Sequence, residues 1–184
     1  MSYALLENGQ LLLPPSIYGV EFQDLKLPVT ADIDGVPLRI IGAFALPSSD
    51  GSSQIAPRLT RPAFASRLIL LTNIVGLNQS GSSVGEVRIQ NRSGAVNKFP
   101  LRMDRETTSW AGQCAPTEPC KTVFQWHKRI TMVGQNSFPD AWRDFQAGMH
   151  AVVLNLPGRT EIDKVSVRYA GAGHLFVWGI ALRS

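Results

Sequence analysis

Charge is scarce in this chain. Only 17% of its residues are charged, and its basic residues between Arg58 and Arg129 are scattered, with no dense run. A nucleic-acid-binding tail needs such a run, so nucleic acid is not among the expected partners. Long hydrophobic runs are also missing. Nothing reaches the roughly 18 apolar residues of a membrane-crossing helix, and no transmembrane span is expected within the chain.

Histidine and cysteine are few, three and two respectively. His127, His150 and His174 have no second ligand at i+2 or i+4 and no HExxH-type spacing, so no metal site is expected. Catalytic patterns are equally thin. The GSSVG at Gly81 to Gly85 has the spacing of a nucleophile elbow, but it precedes a strand instead of joining strand to helix. Asp104 and Glu106 are the acids one would offer for a paired-carboxylate hydrolase, yet Glu106 beside Thr107 reads as a solvated loop charge. No set of residues fills the roles a reaction requires, so the expectation is a non-enzyme without cofactor, with a hydrolase as the enzymatic alternative. The start, MSYALLENGQLLLPP, lacks the basic region of a secretory leader. No export signal is therefore visible.

What the chain has in quantity is apolar residues, 44%, punctuated by 16 glycines and 12 prolines. That balance suits many short strands joined by tight turns. Charge is unevenly placed: residues 1 to 57 carry Lys26 and Arg39 against Glu7, Glu21, Asp24, Asp32, Asp34 and Asp50, a net −4, leaving +8 for the remainder. A mildly positive face toward an acidic partner or anionic lipid follows.

Pro14, Pro15 and Pro28 interrupt every apolar run of residues 1 to 28, which read as an extended arm. Residues 29 to 184 read as one domain. Asp34-Gly35 predicts a hairpin between two apolar-rich runs, and Asn91 to Gly94 a second one. Ser48 to Thr60 reads as a long surface loop. Arg67 to Leu77 is nearly all apolar, as expected of a strand covered on both faces, and so is His174 to Leu182. Lys121 to Ile130, His150 to Leu156 and Ile162 to Tyr169 are further strands. One short helix is predicted near 139–147, where Pro139 and early acids suit a first turn. The fold expected is all-β: a two-sheet antiparallel sandwich of jelly-roll type.

Interest centres on Thr107 to His127. Cys114 and Cys120 flank a short Pro-containing loop, and a local disulfide there implies an oxidising compartment. Trp110 follows Thr107, Thr108 and Ser109, while Trp142 and Arg143 lie on the predicted helix. A flat ring beside hydrogen-bonding side chains suits a pyranose, which offers an apolar face and a rim of hydroxyls. Trp126 and Trp178, inside strands, read as core.

With these residues laid out, 67 to 182 resemble the jelly-roll, carbohydrate-binding-module-like domains at the carboxyl end of bacterial membrane glycosyltransferase-type proteins. The likeness rests on Thr107-Thr108-Ser109-Trp110 after a hairpin, a variable loop, His127-Lys128-Arg129 in the next strand, and a last pair of strands ending in Gly179-Ile180-Ala181-Leu182. It implies an extracytoplasmic β-sandwich without catalysis of its own, periplasmic or at the cell surface, beside a membrane and within reach of glycan. Only Trp110 and His127 carry over as contacts. The resemblance does not extend to the prolyl arm, and no membrane region is present. The ligand-binding candidates are thus Trp110, His127, Trp142 and Arg143, with glycan as the target. An accessory subunit docked by its arm on the aqueous face of a membrane-protein complex is the alternative.

Overall fold

A computed structural model describes residues 3–4, 6–7, 10–11, 25–48, 53–132 and 141–184. Its strands are β1 (Tyr3–Ala4), β2 (Leu6–Glu7), β3 (Gln10–Leu11), β4 (Val29–Ile33), β5 (Val36–Ile40), β6 (Phe44–Pro47) and β7 (Gln54–Ile55). They continue with β8 (Arg58–Val75), β9 (Ser83–Asn91), β10 (Val96–Arg102), β11 (Cys120–Met132), β12 (Ala141–Tyr169) and β13 (His174–Arg183). No helix occurs among the described residues.

Two long strands build the fold. β12 pairs through its first half with β11 on one side and with residues 67–72 of β8 on the other. Its register with β8 then shifts between Asn155 and Thr160, and its second half pairs with β9 and with residues 58–65 of β8. Each long strand therefore belongs to two layers. The first layer runs β11, β12, β8, β13, β6; the second runs β10, β9, β12, β8. The segments read separately as His150 to Leu156 and Ile162 to Tyr169 are parts of this one strand, because the intervening NLPGRT carries the chain from one layer to the other without leaving the sheet.

Period-two alternation decides what each face buries. Leu68, Leu70, Val152, Leu154, Val177 and Ile180 of the first layer meet Val87, Ile89, Leu101, Val165 and Val167 of the second in one core. The opposite face of the first layer is also apolar, with Ile69, Leu71, Trp126, Ala147, Met149, Phe176 and Trp178. The β4–β5 hairpin covers it, burying Ala31, Ile33, Leu38 and Ile40. Its turn needs positive φ at both central residues, and Asp34 (52°) and Gly35 (78°) supply them, while Asp32 Oδ1 accepts the Gly35 N–H at 3.0 Å. Residues 68–74 of β8 and most of β13 are thus covered on both faces, as their continuous apolar sequences predict, and Leu175 to Leu182 are all buried.

The all-β sandwich expected from the sequence is present; the short helix is not. Residues 141–147 are strand, paired from Ala141 opposite Met132 to Ala147 opposite Trp126. Pro139 and Asp140 lie outside the described residues. Asp144, which lay within the predicted helix, serves the sheet instead, opposite Arg129, and cross-strand pairing overrides local propensity. The expected loop from Ser48 to Thr60 is shorter than the sequence suggests, since Gln54–Ile55 and residues from Arg58 onward join the sheet. The described arm residues rest on their own domain: Tyr3 and Ala4 pair with Arg58 and Leu59, and Gln10 with Ala181.

Candidate functional site

Between β10 and β11 the chain inserts itself into the first layer. Ile74 N–H donates to the Thr108 carbonyl at 3.0 Å, Trp110 N–H to the Ile74 carbonyl at 2.9 Å, and Gly148 N–H to the Trp110 carbonyl at 2.7 Å. The segment 108–110 therefore lies as a short extra strand between β8 and β12. The Thr107-Thr108-Ser109 hydroxyls and carbonyls serve this insertion. Thr107 Oγ1 shares a buried hydrogen bond with Thr72 Oγ1 at 2.9 Å, and Thr108 Oγ1 donates to Asp104 Oδ1 at 2.6 Å. Asn73 Nδ2 holds the Gly148 carbonyl at 2.9 Å.

His150 sits at the centre of the anchor, fully buried. Its Nε2 lies 3.0 Å from the Ser109 carbonyl and its Nδ1 lies 3.1 Å from Thr122 Oγ1, which accepts the Cys114 N–H at 3.1 Å. A carbonyl can only accept, so Nε2 carries the proton and Nδ1 accepts from the Thr122 hydroxyl. Burial pulls the pKa of this imidazole from 6.5 down to about 4, against the opposing pull of the Ser109 carbonyl and the Asp104 charge. Cys114 and Cys120 are joined as a disulfide with their Cα atoms 5.6 Å apart. The disulfide, the histidine and the inserted segment form one continuous polar connection.

Glu106 departs from its expected role. It is buried and grips Arg102: Oε1 accepts from Nη2 at 2.6 Å and Oε2 from Nε at 3.1 Å, with the Arg102 N–H 3.0 Å away. It is therefore a structural clamp on the turn after β10 and not a solvated charge.

Beyond His150, β11 and β12 extend past the second layer, and the face that carries Thr122 and His150 becomes exposed and polar. Gln125, His127 and Arg129 of β11 lie opposite Gly148, Gln146 and Asp144 of β12. Arg129 and Asp144 form a two-point ion pair, Nε to Oδ1 at 2.8 Å and Nη2 to Oδ2 at 3.1 Å. The Arg129 hydrogen bond holds the Asp144 carboxyl below its usual pKa, and the same contact raises that of Arg129. His127 Nε2 stands 3.9 Å from Asp144 Oδ1 with its side chain 59% exposed. The strip thus presents two amides, an imidazole and a fixed guanidinium-carboxylate pair on a flat β surface.

The sequence candidates divide between the two faces of this sheet. His127 lies in the strip. Trp110 does not: its half-buried ring meets Phe145 edge-on at 5.0 Å and 87°, packed with the opposite, hairpin-covered face. Trp142 and Arg143 lie on β12 opposite Thr131 and Ile130. Trp126 and Trp178 are core, as read. Arg129, Asp144 and Gln146 were missed because a helix reading of 141–147 hides their cross-strand partners; the HKR and DFQ segments become one surface only once the strands are paired. Among the described residues no group of His, Cys, Asp or Glu converges as a metal centre, and no helix is long and apolar enough to cross a membrane. The sequence matches no protein-family model and no curated protein.

Proposed function

We propose that this chain is a non-catalytic, extracytoplasmic binding module that recognises glycan through the exposed β11–β12 strip, stationed at a membrane surface. The carrying observation is the strip itself: Gln125, His127 and Gln146 stand exposed around the Arg129–Asp144 pair on rigid paired strands. Amides, imidazole and a preorganised ion pair are donors and acceptors for sugar hydroxyls, and strands hold them at fixed spacing. The Cys114–Cys120 disulfide supports an oxidising compartment. The placement beside a membrane rests on the resemblance of residues 67 to 182.

The alternative, an accessory subunit docked on the aqueous face of a membrane-protein complex, draws on the charge split and on an arm ordered by its partner. The pairing of Tyr3, Ala4 and Gln10 with the domain's own strands favours the module over that arm.

A glycan array with the wild type and with His127→Ala/Gln146→Ala decides between them. Loss of the hydrogen bonds of both side chains is expected to weaken the bound glycans by about tenfold or more. The melting temperature should move by no more than about 2 °C, since both side chains are exposed. Unchanged binding by the double variant would remove the strip from the account. A wild type that binds no glycan but co-purifies in stoichiometric amount with a membrane complex would establish the accessory subunit instead.

A further inference from the structure

The outer face of the second layer bears a different chemistry. Its paired positions carry Lys98 opposite Arg88 and Arg88 opposite Ser166, then Pro100 opposite Glu86 and Glu86 opposite Arg168, with Lys164 opposite Gln90. Like charges directly opposite in an antiparallel pair destabilise it, so Lys98 facing Arg88 is a local cost that the sheet alone does not require. Glu86 relieves part of it through Arg88, whose Nε donates to Oε1 at 2.6 Å. A groove of about 430 Å³ opens on this same face, lined by Ser83, Gly85, Glu86, Lys98, Pro100 and Arg168.

We infer that this groove binds a carboxylate-bearing sugar residue, on a surface separate from the β11–β12 strip and independent of it. Its volume is in the range that holds a single small ligand. Among the described residues the like-charged pair of Lys98 and Arg88 is the feature that an anionic group seated beside Lys98 would offset. Glu86 and Ser83 narrow the class. A sulfate brings only acceptors and offers Glu86 nothing, whereas a sugar acid brings hydroxyl donors for Glu86 together with a carboxylate for Lys98. The ring of Pro100 offers an apolar surface to the C–H face of a pyranose.

The test is calorimetric titration with an oligogalacturonate and with its carboxyl-reduced counterpart, at about 0.15 M salt so that diffuse attraction is screened. The wild type is expected to bind the acidic oligomer and to lose about tenfold or more of that affinity for the reduced one. Lys98→Glu should lose a similar factor and Lys98→Arg should keep binding. Position 98 is exposed, and a glutamate there faces Arg88 favourably, so the variant is expected to stay folded. Lys98→Glu should leave the binding of uncharged glycans unchanged, which separates the groove from the strip. The inference is overturned by equal binding of the reduced oligomer, by Lys98→Glu binding as the wild type does, or by no binding of the acidic oligomer. Association confined to phosphatidylglycerol vesicles would overturn it in favour of a lipid-facing surface.

Discussion

His150 concentrates the physics of the buried anchor in one ring. Folded, it is held neutral with its pKa near 4; unfolded, it titrates near 6.5. Above pH 6.5 it is neutral in both states and adds no pH dependence. As the pH falls below 6.5 the unfolded chain takes up a proton that the folded chain refuses. Stability is then lost at up to about 1.4 kcal/mol per pH unit, until the folded histidine titrates too. The total comes to about 3 kcal/mol between pH 6.5 and 4. Urea unfolding at several pH values is expected to show this loss in the wild type and to show a correspondingly flatter profile in His150→Asn; identical profiles would remove the histidine from the explanation. The sequence read His150 as the first residue of a strand, and it lies within β12. Its partners could not be read, because Thr122 and Ser109 stand 28 and 41 residues away and meet it only through the insertion of segment 108–110.

Two elements have consequences of their own. The loop closed by Cys114 and Cys120 is pinned at both ends, by Cys114 N–H to Thr122 and Cys120 N–H to the Arg105 carbonyl at 2.9 Å. Opening so short a ring, for instance by Cys114→Ser/Cys120→Ser, should cost about 2 kcal/mol in thermal or denaturant unfolding. A loss near zero would mean that the hydrogen bonds hold the loop unaided. The turns after β8 and before β13 cross in contact. A Cβ at Gly173, where φ is 80°, would fall well inside van der Waals distance of the Val75 carbonyl. Gly173→Ala is expected to destabilise by about 3 kcal/mol, read as a lowered melting temperature, since backbone on both sides must give way. The same scale explains the misread helix. Pro139 and early acids suit a helix start near 139–147 in isolation, and only the partner strand, with Arg129 opposite Asp144, decides residues 141–147 for β.

For the whole molecule, the features that could be read in the sequence were those written in local pattern. The doubly buried strands β8 and β13 declare themselves by continuous apolar runs, and the hairpins by Asp34-Gly35 and Asn91 to Gly94. The bend of β12 through both layers was not legible, because NLPGRT looks like an ordinary loop until its flanks are seen in one strand. The same limit hid most of the candidate site. Its residues come from two strands whose register no local pattern records, and the aromatic ring that drew most attention, Trp110, turns toward Phe145 and the covered face.

The most direct measurement of the central claim is a two-dimensional amide NMR titration of the whole chain with the glycan that binds most strongly on the array. The account predicts shifts contiguous over residues 125–129 and 144–146, with little change in the buried pair Thr107 and Thr108. Shifts that leave both strands of the strip untouched while binding is saturable would contradict it.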